Sequence, residues 1–297
     1  MSSDTPSTKY LGQLRPRRSV LYMPGANARA MEKACEIDCD AIVFDLEDAV
    51  APDAKEAARD QVLAALASHD YGYRELIVRG NGLDTPWGVA DIEAFATAKI
   101  DAMLFPKVES EDQVAQILAT LDAAGGETLP IWLMIETPTG VLDVTQFADH
   151  SRVEVLVMGT SDLVKELRAQ HTPERHNIDY ALQRCVLVAR KLGKDILDGV
   201  HLDFRNTEAF IQVCASGRAM GFDGKTLIHP AQVAGANDVF GYSADTISEA
   251  QDILRVWQAA LDEGKGVAVL DGRLIENLHA EEARRVVAFA EAMQRRI

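Results

Sequence analysis

Eight short apolar, β-branched runs recur along the chain, separated by stretches of helical periodicity, and this alternation constrains the fold more than any other feature. The runs are SVLYMPG, AIVFDLED, ELIVRGN, AMLFPKV, IWLMIET, VEVLVMGTSD, DILDGV and GFDGKTLIHP. Strands alternating with helices build a parallel sheet, and eight such repeats close a (β/α)8 barrel. Between them lie helical segments such as DAKEAARDQVLAALASH and NIDYALQRCVLVARKLG, several ending on glycine, as helix C-termini commonly do. Two more helical stretches, SADTISEAQDILRVWQAALDEG and AEEARRVVAFAEAMQRR, follow the eighth run. The expected architecture is therefore an α/β TIM barrel over residues 15–240, a flexible tail over 1–14, and C-terminal helices over 241–297 forming a lid or an interface arm.

The charge balance narrows the partners. A net charge of −16 over 297 residues sets up a field that repels phosphate backbones and anionic lipid, so neither nucleic acid nor a membrane surface is expected. The opening MSSDTPSTKYLGQL has no apolar signal region, and no run is long enough to span a bilayer, which points to the cytoplasm. Cys35, Cys39, Cys185 and Cys214 are too few and too scattered for a disulfide framework and read as buried reduced thiols.

In a barrel the C-terminal ends of the strands converge on one face, where enzymes of this architecture place their chemistry. Here those ends carry Asp45, Glu47 and Asp48, then Arg79 and Asn81, Lys107, Glu136 and Asp162. Glu136 and Asp162 come from neighbouring runs. They either share a cation such as Mg2+, with waters and substrate oxygens completing the shell, or cap the helices that follow them; spacing alone leaves both open. Asp45 and Glu47 face the same side of an extended chain and suit either metal-bound water or the arginine. Arg79, followed by Gly80 and Gly82, offers a fork for a carboxylate or a developing oxyanion, or a structural bridge to the FDLED acids. Arg15, Arg17, Arg18, Arg29 and Lys33 cluster around the first run, the obvious place for phosphates in so acidic a chain. His229, just past the last run, reads as structural. PGANAR matches no phosphate-binding glycine loop, and HExxH, CxxC pairs and GxSxG are missing.

RRSVLYMPGANARAMEKA, AIVFDLEDAVAPDAKEAAR, IVRGNGLDTPW, LFPKVES, MIETPTG, GTSDL and GFDGKTLIHPAQV, in this order, resemble the citrate lyase beta subunit-like family, with its malyl-CoA and citramalyl-CoA lyases, in the HpcH/HpaI aldolase superfamily. The resemblance runs from about Arg17 onward. It implies Mg2+ on Glu136 and Asp162, Arg79 against the substrate's carboxylate or oxyanion, and Asp45 and Glu47 ordering the waters around the metal. It implies CoA phosphates held by Arg18, Arg29 and Lys33, and a homotrimer or hexamer whose C-terminal segment covers a neighbour's site. Glu276, in DGRLIENLH, stands where the family's lyases carry an acid/base aspartate.

The activity implied is a Mg2+-dependent carbon–carbon lyase that cleaves or condenses a short 3-hydroxyacyl-CoA, such as malyl-CoA or citramalyl-CoA, to an acyl-CoA and a 2-oxo acid. The alternatives are a citrate lyase beta subunit working with an acyl-carrier protein, a malyl-CoA thioesterase, and a non-catalytic barrel subunit.

Overall fold

The computed structural model describes residues 14–296, so the expected N-terminal tail lies almost wholly outside the described residues. Residues 17–240 form one compact unit and residues 241–296 belong to another.

In the first unit eight parallel strands close into a barrel in sequence order. They are β1 (Ser19–Pro24), β2 (Ala41–Asp45), β3 (Glu75–Arg79), β4 (Ala102–Phe105), β5 (Ile131–Ile135), β6 (Val153–Met158), β7 (Asp195–Asp198) and β8 (Gly224–Leu227). Every residue of β2, β4, β5 and β8 is buried, because one face fills the barrel and the other meets helices. Alternation sorts the two faces. Val20, Val43, Ile77, Leu104, Trp132 and Val155 pack inside, while Leu21, Ile42, Val78, Phe105 and Leu133 join the larger core beneath the helices.

Helices follow the strands with local reasons for starting. Asn27 accepts a hydrogen bond from Ala30 N–H to open α1 (Ala28–Ala34), and Thr137 Oγ1 accepts from Gly140 N–H at 3.0 Å to open the helix Pro138–Phe147. Capping is thus done by the threonine after Glu136, not by Glu136. A further helix, Val233–Phe240, follows the eighth strand.

The N-terminal end of the barrel is plugged by charge. Arg17 forks onto Glu75 at 2.7 Å through both Nε and Nη2, bonds Asp195 at 2.6 Å, and lies over the Trp132 ring. Arg18 forks onto Asp40 at 3.0 and 2.9 Å.

In the second unit the helices Ala244–Asp262 and Asn277–Gln294 pack on one another around Trp257, Ala260, Ala268, Ile275 and Ala280. Between them runs an antiparallel hairpin, Ala268–Leu270 with Arg273–Ile275, turning at Asp271 and Gly272. Both turn residues have positive φ, 48° and 78°, as Asp-Gly hairpin turns require. Among the described residues no helix is long and apolar enough to cross a membrane.

Candidate active site

The inward alternation that fills the barrel continues past its apolar layers and ends in polar groups. Val43 is followed two residues on by Asp45, Ile77 by Arg79, and Met134 by Glu136. These side chains form the top layer of the interior and line a cavity of about 390 Å3, together with Tyr22, Asp162, Thr226 and the turn Met158–Ser161.

Arg79 organises this layer. Asp45 and Arg79 are direct partners in the β2/β3 register, and the arginine forks onto Asp45 at 2.7 and 2.6 Å. Its third nitrogen reaches Glu47 at 2.9 Å and Asp48 at 3.7 Å. Asp45 also accepts the backbone N–H groups of Glu47 and Ala49, so it is held from four directions. Burial works to lower the Arg79 pKa, but Asp45 and Glu47 hold it well above the ordinary value, and the charge is permanent. The turn is clamped by Lys55, buried under Trp87, which donates to the carbonyls of Leu46 and Glu47 at 2.9 Å each.

Glu136 stands across the cavity, 2% exposed. Its Oε1 accepts the backbone N–H of Lys107 at 2.9 Å. Lys107 adopts a left-handed backbone, φ 51°, and its ammonium bonds Glu47 at 2.8 Å while lying 3.9 Å from Glu136. Burial first, then the charges of Glu47 and Asp162 against that of Lys107, push Glu136 up to about 7. Asp162 sits in the first turn of the helix Thr160–Glu166, with Lys165 3.9 Å away. Gly159 leaves the space Glu136 occupies: a Cβ there would overlap Oε2 and lie 2.5 Å from the Glu136 Cβ.

Asp45, Glu47, Asp48, Glu136 and Asp162 thus outnumber Arg79, Lys107 and Lys165. Among the described residues no three His, Cys, Asp or Glu side chains form a closed metal cage. A pair of carboxylates beside open volume suits Mg2+, which keeps waters and takes substrate oxygens, and the residues therefore fit that ion.

The structure brings some of the sequence-predicted residues together and separates others. Arg79, Asp45, Glu47, Glu136 and Asp162 come together. Arg18 does not: it precedes β1, so it sits at the N-terminal end of the barrel with its guanidinium on Asp40. Arg29 and Lys33 lie on the exposed face of α1, which leaves the C-terminal end of β1. Glu276 is exposed in the second unit, where its backbone N–H donates to His279 Nδ1 at 3.0 Å. His229 is structural, its Nδ1 accepting Ala231 N–H.

Comparison with known proteins now decides the family: the model described as HpcH/HpaI aldolase/citrate lyase matches residues 18–230, spanning all eight strands. The chain belongs to that family. Within it, the chain is 48% identical to a (3S)-malyl-CoA thioesterase of Cereibacter sphaeroides (strain KD131 / KCTC 12085), over 95% of this chain and 97% of the relative. It is 34% identical to citrate lyase subunit beta of Escherichia coli (strain K12), over 93% of this chain and 94% of the relative. Among solved structures it resembles CitE from Mycobacterium tuberculosis in complex with magnesium, acetoacetate and coenzyme A. That likeness has a TM-score of 0.71 and 25% identity over 94% of this chain and 97% of the other. As an HpcH/HpaI member the chain has the (β/α)8 fold and a CoA-thioester-related lyase or aldolase setting.

Proposed function

We propose that this HpcH/HpaI protein hydrolyses the thioester of a short 3-hydroxyacyl-CoA, malyl-CoA foremost, to CoA and the free hydroxy acid. The cavity in which a permanently charged Arg79 faces the carboxylate pair Glu136 and Asp162 supports chemistry at a CoA thioester, and the likeness to malyl-CoA thioesterases is what places hydrolysis first. The sequence ranks carbon–carbon cleavage ahead of hydrolysis; relatives named malyl-CoA thioesterase at 46–48% identity favour the opposite order.

Glu136 and Asp162 would hold Mg2+, which would supply Lewis-acid anchorage for the hydroxy-carboxylate end of the substrate. Arg79 then addresses the other end. When water adds to the thioester carbonyl, a C–O bond forms and negative charge develops on the carbonyl oxygen, where the guanidinium stabilises it. Collapse breaks the C–S bond and CoA leaves as the thiol. Asp45 and Glu47 keep Arg79 from swinging, so its charge is already aimed when the oxyanion forms. Arg29 and Lys33 remain as groups for the CoA phosphates, and Glu276, in a C-terminal segment serving as lid or interface arm of a homo-oligomer, remains the acid/base for proton transfer.

The same residues support retro-aldol cleavage, since Arg79 would equally stabilise a thioester enolate. That second reading is favoured by the likeness to citrate lyase subunit beta. Purified protein with malyl-CoA and Mg2+ separates them. Free thiol without glyoxylate means hydrolysis, equimolar acetyl-CoA and glyoxylate mean lyase activity, and silence on free CoA esters points to a carrier-dependent subunit.

A further inference from the structure

Among the polar groups of the cavity that this chemistry leaves unused is a phenol. Tyr22 lies two residues beyond Val20 in β1, on the alternation that points into the barrel, and it lines the cavity. Its ring packs against Arg79, with the guanidinium carbon 5.0 Å from the ring centroid. Because Arg79 is fixed by Asp45 and Glu47, the stacking fixes the phenol in turn. The other polar groups around the arginine are engaged: Asp45 by Arg79, Glu47 by Lys107, and Glu136 by the Lys107 N–H. Among the described residues, no protein group bonds the Tyr22 hydroxyl.

We infer that Tyr22 is a catalytic residue whose hydroxyl donates a hydrogen bond to the substrate oxygen that Arg79 addresses. Naming that oxygen the thioester carbonyl rests on the hydrolytic reading above. The donor role has independent support in chemistry. Burial raises the phenol pKa more than Arg79 lowers it, and Asp45, Glu136 and Glu47 raise it further, so the proton stays on the oxygen. A neutral phenol in contact with a guanidinium acts as a donor and not as a base. During the reaction the O–H bond is kept; only its hydrogen bond strengthens as charge develops on the acceptor.

A purely structural role, the ring serving as a shelf for Arg79, makes a different prediction. Tyr22→Phe keeps the ring and removes one hydroxyl. With Mg2+ and malyl-CoA, the variant should lose roughly 10²-fold in kcat, the cost of one oxyanion donor, with KM within about threefold and an unchanged melting temperature. A wild-type kcat, or a fall in kcat matched by a fall in melting temperature, overturns the assignment. Calorimetric binding of acetyl-CoA against CoA gives a readout free of turnover. The thioester carbonyl should confer a preference that shrinks roughly fivefold in the variant, as loss of one hydrogen bond would give. If the wild type turns over no CoA ester, the hydrolytic reading fails, and this ratio alone judges Tyr22. A reduced ratio upholds the donor, and an unchanged ratio removes it.

Discussion

Replacing Gly159 by alanine tests whether the position of Glu136 is what the site depends on. The new Cβ would lie 2.5 Å from the Glu136 Cβ and 3.0 Å from its Cδ. Carbon atoms in contact sit about 3.5–4.0 Å apart, so one backbone or the other must yield by about 1 Å. Neither yields freely: Gly159 N–H donates to Ile135 O at 3.0 Å, and Glu136 is pinned by Lys107 N–H. Overpacking of this kind costs about 1–3 kcal/mol. For a domain this size that lowers the melting temperature by several degrees, at about 2–4 °C per kcal/mol. The functional loss should be larger than the loss in stability suggests, because displacing a site group by about 1 Å costs about 10²-fold in rate. Mn2+ titration followed by paramagnetic resonance, thermal melting and malyl-CoA turnover would be measured on the same preparation. A folded Gly159→Ala protein with wild-type metal affinity and turnover would refute the claim that Glu136 must occupy this place.

Four further outcomes are expected. Glu136→Gln should abolish Mn2+ binding while melting close to the wild type, and dialysis against EDTA should remove turnover that Mg2+ restores. Arg79→Lys should lose about 10²-fold or more in kcat, because an ammonium cannot replace the fork onto Asp45, and the hydrolysis assay reads this directly. Asp198, fully buried between Lys225 and Arg175 at 2.8 and 2.7 Å, is held below the ordinary carboxylate value by those two cations despite its burial. Asp198→Asn should therefore cost about 3–5 kcal/mol in urea unfolding. Its stabilisation is present above the unfolded pKa of about 4 and is lost as pH falls through the lower folded value; the urea midpoint of the wild type should thus drop more steeply in acid than that of Asp198→Asn/Lys225→Met. Burial pushes the thiols of Cys39, Cys185 and Cys214 up to about 12, so an aromatic disulfide reagent should label Cys35 in the native protein and the others only on unfolding.

The strand rhythm made the barrel legible, and with it the idea that polar strand ends converge. It did so because alternation is a local property of sequence, and barrel closure turns local strand ends into one layer. Arg18 shows where adjacency misleads: it lies next to the same strand as Tyr22, but before its start, and the strand length separates the two ends of the barrel. The Asp45–Arg79 fork depends on register between β2 and β3, which no single run reveals. The left-handed backbone of Lys107 and the space left by Gly159 are three-dimensional facts carried by ordinary-looking residues. The hairpin at Asp271–Gly272 was written in the sequence as an Asp-Gly turn between short apolar runs, a signal that the helical patterns on either side obscured.

The layer of Asp45, Arg79 and Glu136 cannot by itself choose between breaking a C–S and a C–C bond, because both routes place negative charge on the same thioester oxygen. Choice must come from groups that treat the two transition states differently. Hydrolysis needs a water placed over the carbonyl carbon, whereas retro-aldol cleavage needs a base at the hydroxyl and a proton delivered to carbon. Among the residues that line the cavity outside that layer are Ser161, Val200, Thr226 and Ile228, from the ends of three strands. If reaction type is set there, Ser161→Ala and Val200→Ala should change the ratio of free thiol to glyoxylate released from malyl-CoA, and leave Mn2+ affinity where it was. A change in metal affinity together with an unchanged product ratio would place the choice back in the charged layer.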